Sequence, residues 1–452
     1  MTRLFALAVL ALVIVACSDR VPAPTTPTPS PRPGYPPAPV SEFPEGVLYV
    51  NNPTLQAPPL FRLENGREAA EVGPLFLTSV SPDASRAAAL TLDPGRPGRA
   101  TGIGILAASA FEEFETSPHI GWPSVVWSAD GKRIAFMLSV ESNPGRAQVW
   151  TVDAESGEKT PLSEEADSSW MLGWTAAGEV LMRAPDGLAL LGKTRRAIAL
   201  PEPGTVLDAQ VSPDGRSLAV KLGEYEQDPR TELTYVHLSG IWVSGLTGGG
   251  WREVVDLSGR PPAVLSHGGE GLLWSPEGTR LVYQTEGGGE STDWETRLVD
   301  ARTGEEELLA AEYSWGHSWS RDGRYLAYMQ SASGYSAGSL QILGPDGRTR
   351  RMVNVRRMAW VKDGRLLVDI PGHLSLLDPE TMELKEVQTE SGETISALLE
   401  APVWSPSGRY FALATPADMY HRSSLYVIDT EEGTAEVFLK EAGFAPVAWL
   451  RE

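Results

Sequence analysis

Along most of the chain, short apolar runs alternate with short polar clusters that carry turn chemistry. The stretch Trp274-Ser275-Pro276-Glu277-Gly278-Thr279-Arg280-Leu281-Val282-Tyr283 shows the unit: an apolar strand ends at Trp274, Ser-Pro-Glu-Gly reverses the chain, and Leu281 begins the return strand. Pro suits the first central position of a type I turn, and the following Gly can take the left-handed conformation of a bulged hairpin. The device recurs at Trp127-Ser128-Ala129-Asp130-Gly131, Trp174-Thr175-Ala176-Ala177-Gly178 and Val211-Ser212-Pro213-Asp214-Gly215. It returns at Trp319-Ser320-Arg321-Asp322-Gly323, Trp360-Val361-Lys362-Asp363-Gly364 and Trp404-Ser405-Pro406-Ser407-Gly408. Val80-Ser81-Pro82-Asp83 is a weaker copy lacking Gly, and Val447-Ala448-Trp449-Leu450 closes the chain without a return strand.

Counted from the position after the aromatic or Val, the steps are 47, 47, 37, 63, 45, 41, 44 and 45 residues. A period in the forties with several short strands per unit predicts an all-β propeller of four-stranded blades. The inner strands are continuously apolar, as expected where both sheet faces pack on neighbouring blades. Small Ala135, Ala219, Ala327 and Ala412 suit the crowded inner end of a blade. Gly46 to Val50, Pro59 to Leu63 and Glu68 to Val72 read as three outer strands lacking an inner one, and Ala445 to Leu450 as an inner strand lacking its outer three. Paired, they would make one blade from both termini and close the ring without exposed edges. Literal counting gives nine blades. Because nine-bladed rings are rare, the expectation is eight, with one weak unit absorbed and seven to nine allowed.

The repeat resembles the TolB-like, WD-repeat-like propeller repeat of bacterial envelope proteins, whose units read Trp-Ser-Pro-Asp-Gly, a basic residue, then an apolar strand. The resemblance covers about residues 45 to 452 and implies four-stranded blades. The Gly-His and Trp-Asp signatures of true WD repeats are absent, and the Ser-x-Asp-x-Gly spacing of sialidase-type boxes is not kept.

The N-terminus changes the picture from a free domain to a tethered one. Arg3 precedes a nearly unbroken apolar run, Leu4 to Val15, too short to span a bilayer comfortably. The run ends in Ile14-Val15-Ala16-Cys17, which resembles the lipobox of bacterial lipoproteins, and Cys17 is the only cysteine. The resemblance implies a signal peptide over 1–16, cleavage before Cys17, and acylation of its sulfur. Each buried methylene of an acyl chain would contribute about 0.8 kcal/mol to membrane anchoring. With no other thiol, the folded part has no internal disulfide and no Cys-based metal site. Residues 17–44 form a Pro/Thr-rich tether. Its Val21 to Val40 section favours polyproline II, which at roughly 3.1 Å per residue would span about 60 Å. Residues 45–452 are the propeller domain.

The formal net charge is −21, and loss of Arg3 with the signal leaves 37 basic residues against 59 acidic ones. That excess argues against nucleic acid as a partner. Candidate chemistry is thin. Gly334-Tyr335-Ser336-Ala337-Gly338 fits a nucleophile elbow, but the motif needs a strand before it and a helix after it, and here it joins two strands. The six His residues form no metal-binding pair, there is no EF-hand loop, P-loop or dinucleotide fingerprint, and no cofactor is expected. The turn residues Asp130, Asp214, Asp322 and Asp363 are explained by bonding to local backbone amides. Lys132, Arg216, Arg324, Arg365 and Arg409 are expected to lie solvated on the blade rims.

Two groups remain as candidate ligand surfaces. His119, Trp122, Trp170, His267, Trp315 and His317 lie in or near the loops entering each unit, which gather around the mouth of a propeller channel. Aromatic faces and imidazoles there would suit sugars or peptide side chains. The 63-residue step contains a long segment, residues 223–237, with Tyr225, Glu226, Tyr235 and His237, read as a recognition loop. The resulting expectation is a monomeric extracytoplasmic lipoprotein, anchored in the bacterial cell membrane or outer membrane. Its propeller would be a non-catalytic platform for envelope proteins, peptides or glycans. A polysaccharide lyase or hydrolase at the channel mouth and a purely structural envelope component are the alternatives.

Overall fold

A computed structural model describes residues 44–451 apart from 52–58, 65–68, 94, 97–98, 109, 121–124, 141–142, 164–165, 168–169, 185–186, 229–233, 247–249, 265–270, 287–293, 332–337, 390, 393–394, 396–402, 416–422 and 441–443. Within strands, the side chains of 117–120, 139–140, 143–146, 166–167, 170, 184, 263–264 and 286 are also outside the description.

The described residues form nine sheets: eight are built on four consecutive strands joined as an antiparallel up-and-down meander, and the ninth is composite. Blade 2 is representative: Val125–Trp127, Arg133–Val140, Asn143–Asp153 and Lys159–Pro161 lie side by side in chain order. The first strand of each blade is innermost, and inner strands of several neighbouring blades pack against one another. Blade 9 takes its inner strand, Ala445–Leu450, from the C-terminus and its outer three, Val47–Asn51, Leu60–Leu63 and Ala70–Gly73, from the other end of the chain. Val47 pairs with Leu450 and Asn51 with Ala445.

The expectation of eight blades is therefore corrected to nine, the literal count. Nothing is absorbed because the weak first unit is complete: Leu75–Val80, Arg86–Leu92, Ala100–Ala107 and Phe111–Ile120 form a full blade. Its turn places Ala84 at φ 55°, where the other turns use Gly131, Gly215 or Gly323 at φ 67–71°. A left-handed Ala costs roughly 1–2 kcal/mol. The same Ser cap tolerates it, Ser81 Oγ donating to Asp83 at 2.7 Å and accepting the Arg86 amide at 3.0 Å.

The turns that carry both Ser and Asp are small closed circuits. Ser320 Oγ donates to Asp322 Oδ1 at 2.6 Å and accepts the Tyr325 amide at 2.9 Å, while Asp322 Oδ1 accepts the Arg324 amide at 3.1 Å. Ser128–Asp130 and Ser212–Asp214 repeat the pattern. Ser320 is 1% exposed, so Ser320→Ala leaves a buried amide without its acceptor. The expected cost is about 1–3 kcal/mol. It should be read as a lowered urea midpoint at unchanged m-value.

Blades are held to each other by apolar cores and by the turn tryptophans. One core packs between each blade and the next. Leu48, Phe61 and Trp449 of blade 9 pack on Ala412, Leu425 and Phe438 of blade 8, and Tyr49, Leu60 and Ala448 pack on Ala87, Ala89 and Leu106 of blade 1. The indole N–H of the Trp before the turn reaches back to the preceding inner strand. Trp127 donates to Ser79 O at 3.3 Å, Trp174 to Val126 O at 2.9 Å, Trp274 to Gln210 O at 3.1 Å and Trp360 to Ser318 O at 3.0 Å. At Trp319 this bond is not made, and Arg280 lies over the ring at 4.6 Å instead. The four small alanines are fully buried as expected. The basic residues divide: Lys132, Arg216 and Arg324 are exposed, whereas Arg365 bonds Asp363 and Thr430 O, and Arg409 bonds Asp429.

Candidate functional site

The meander gives the propeller two unlike ends. The Ser-Asp-Gly turns joining first to second strands, and the turns joining third to fourth strands, emerge at one end. The second-to-third links and the entries from blade to blade emerge at the other. The candidate surfaces belong to both.

At the turn end, inner strands of blades 6 to 9 and blade 1 line a cavity of about 820 Å³. Trp319, Trp360, Trp404 and Trp449 form its wall with Pro82 and Pro406. Arg321 and Lys362 stand at this wall, and Lys362 Nζ donates to Ser407 O on the next turn. The chain enters the fold here. Glu45 Oε1 accepts the Ser407 amide at 3.1 Å and its hydroxyl at 2.5 Å, and Glu45 O accepts the Trp449 indole N–H at 2.5 Å. Burial pushes the Glu45 carboxyl up, but bonds from Ser405 and Ser407 with the nearby Lys362 hold it below its usual value. The sequence did not single this cavity out, because its walls are the repeat tryptophans already explained by blade packing.

At the entry end, inner strands carry bulges between Leu77 and Ser79, Met171 and Gly173, Val206 and Asp208, and Trp315 and Ser318. Bulges re-aim side chains at channel rims. Of the six rim candidates, two have described side chains. Trp315 stacks on Tyr313 at 5.6 Å, and Trp294 meets Tyr313 edge-on at 5.2 Å. His317 stacks on Tyr328 at 5.5 Å, and its Nε2 lies 3.0 Å from Ser314 Oγ. His119 falls on the fourth strand of blade 1 and Trp170 opens the inner strand of blade 3, with neither side chain described. Trp122 and His267 lie outside the described residues, as do Cys17 and positions 334–337 of the Ser336 motif.

His317 ends a polar path that sequence reading missed. Lys221 Nζ donates to Gln284 O at 2.8 Å. Gln284 Nε2 donates to Ser314 O at 2.6 Å and Thr296 Oγ1 at 3.1 Å, and Thr296 Oγ1 lies 2.5 Å from Ser314 Oγ. Gln284, Thr296 and Ser314 are buried. The path crosses blades 4, 5 and 6. Lys221 faces Asp208 across the strand pair, and Asp208 also accepts the Leu272 amide of blade 5 at 2.5 Å. Crowding by protein lowers the Lys221 pKa to about 8, with Asp208 opposing and Arg260 adding to the shift. A lysine near neutrality can share or accept a proton. The visible clue was Lys221 inside the apolar run Leu218-Ala219-Val220-Lys221-Leu222. Among the described residues no group of three or more His, Cys, Asp or Glu could hold a metal ion.

The 223–237 segment is corrected from a loop to a β-ribbon. The second and third strands of blade 4 run on as Ser217–Gln227 and Thr234–Gly245, pairing Glu224 with His237, Tyr225 with Val236 and Glu226 with Tyr235. Tyr and Val favour the pleated surface, and alternation puts Val236 and Leu238 inward. Tyr225 is 45% exposed, and His237 Nε2 lies 2.6 Å from Glu226 Oε2.

No family model matches the chain, and no curated protein matches it by sequence. Solved structures do match in shape. A eukaryotic initiation factor aligns at a TM-score of 0.59 and 13% identity over 89% of this chain and 98% of its own. Dipeptidyl peptidase 4 of Porphyromonas gingivalis aligns at 0.50 and 12% identity, over 81% of this chain and 59% of its own. TolB from Acinetobacter baumannii aligns at only 0.29 and 14% identity, over 72% of this chain and 84% of its own, too low to carry an argument. At these identities the likenesses establish one thing, the β-propeller fold.

Proposed function

We propose that this chain is a monomeric, lipid-anchored envelope protein whose propeller is a binding platform for a protein, peptide or glycan, and that the composite ninth blade closes its ring. The observation that carries the reading is the entry of the chain at Glu45, on the turn end. A tether attached there directs the turn end toward the anchoring surface. The entry end, with the Tyr225–His237 ribbon, Trp315 and His317, is left facing away. His119, Trp122, Trp170 and His267 belong to the same rim in this reading. The acidic balance disfavours nucleic acid as the ligand.

Two measurements test it. Cys17→Ser should release the protein from membranes of either kind, and persistent membrane association would sink the anchor. Cross-linking in intact cells should capture a partner that the double variant Tyr225→Ala, Tyr235→Ala loses while its circular dichroism is unchanged. Undiminished capture would remove the ribbon from the site.

A second reading, a propeller lyase or hydrolase acting at the channel mouth, is favoured by the polar path that runs from Lys221 through Gln284 and Ser314 to His317 at the entry end, with burial lowering the Lys221 pKa. In that case Lys221→Met abolishes turnover of a polysaccharide or peptide without reducing its binding.

A further inference from the structure

The turn-end cavity and the tether meet at one point. The wall residues Trp449 and the Ser405-Pro406-Ser407-Gly408 turn are the groups that hold Glu45, so the chain outside the description ends at the rim of the cavity. The chain leading to Glu45 runs Gly34-Tyr35-Pro36-Pro37-Ala38-Pro39-Val40, with no charged residue, and then Ser41-Glu42-Phe43-Pro44. Pro39 and Pro36 precede Glu45 by six and nine positions. At no more than ~3.3–3.6 Å per residue they lie within about 20–30 Å of it.

Polyproline II segments have no internal hydrogen bonds and keep their carbonyls free, and proteins recognise them with grooves lined by aromatic rings. The cavity offers Trp360 and Trp404, both partly exposed, as ring faces, with Pro82 and Pro406 beside them. Arg321, exposed at the wall, supplies a donor for a free carbonyl. The volume of about 820 Å³ lies within the ~300–1,000 Å³ of ordinary ligand pockets. It suits a short tract, not the whole tether. A tract attached to the rim pays little association entropy, since its effective concentration is set by a short link.

We infer that the turn-end cavity is a docking site for the chain's own proline-rich segment, residues 34–40, and that docking fixes the orientation of the propeller on its tether. The occupant is intramolecular, and the inference holds whether or not Cys17 is acylated.

The test places a photoreactive benzoylphenylalanine at position 80 of the full-length chain, where Val80 lines the cavity, is 41% exposed and has no part in the proposed recognition, and maps the adducts by mass spectrometry after irradiation. The expected result is an intramolecular adduct between position 80 and residues 34–40, lost when Pro36, Pro37 and Pro39 are all replaced by Ala. Those three residues belong to the proline-rich segment, so the variant should keep a single cooperative thermal transition, lowered by no more than the lost docking contributes. An adduct that survives the Ala replacements would show proximity without recognition and overturn the inference. So would adducts joining two copies of the chain, adducts to another protein, or no adduct with the tether.

Discussion

Removing residues 445–452 is expected to abolish the soluble, cooperatively folded protein. The deletion takes away the inner strand of blade 9, against which Val47–Asn51 pairs over its whole length. Val47, Leu48, Tyr49 and Val50 are each fully buried, and without that strand they become a bare apolar edge, the template on which chains aggregate. Two inter-blade cores fail together, because Trp449 packs toward blade 8 and Ala448 and Leu450 toward blade 1. Size-exclusion chromatography should show aggregate, and the soluble remainder should bind a hydrophobic dye. A milder version isolates one side chain. Trp449 is 1% exposed, and Trp449→Ala should cost about 3–5 kcal/mol, read from urea unfolding. A truncated protein that keeps the wild-type midpoint would show that the fold does not depend on its composite blade. The same geometry makes folding slow, since the pairing joins residues some four hundred positions apart and non-local contacts delay the rate-limiting step.

Much of this fold was legible because turn chemistry is local. Ser, Asp and Gly at fixed offsets meet their partners within five residues, so a repeat written in the sequence is a repeat in space. The ends were legible for a related reason: three strands without an inner one and an inner one without its three have only each other to pair with. Tertiary context decided the rest. The 223–237 segment, longer than an ordinary link between strands, read as a loop, yet Tyr225, Tyr235 and Val236 extend the ladder beyond the blade. Lys221 and Gln284 lie 63 residues apart on different blades, and no spacing rule connects them. The turn-end cavity was hidden differently, since residues with a complete structural explanation in blade packing also form a surface.

The other large expected effect is acid unfolding driven by the turn aspartates. In the first-to-second-strand turns, Asp130, Asp214 and Asp322 are held below the usual carboxylate range, with the neighbouring Ser hydroxyl as the leading cause. Asp83 is lowered by Ser81 and Ser85 despite its burial. In the third-to-fourth-strand turns, Asp153, Asp300 and Asp378 are lowered chiefly by backbone amides, Asp346 by Arg350, and Asp429 by Arg409 despite burial. A folded pKa below the unfolded one means that stability from these groups is fully present above the ordinary carboxylate value of about 3.9 and is lost as pH falls through the folded value. The urea midpoint should therefore hold between about pH 7 and pH 5 and fall below about pH 4, the more steeply because many carboxylates protonate together. Relief of net negative charge acts in the opposite direction on acidification, so a fall requires that the caps dominate. The triple variant Asp130→Asn, Asp214→Asn, Asp322→Asn separates the two. Asn keeps an acceptor oxygen but does not titrate, so this protein should be weaker at neutral pH and lose less on acidification. If the wild-type midpoint instead stays level or rises down to about pH 3, charge relief outweighs the caps, and the bonds that make the repeat so regular contribute geometry more than stability.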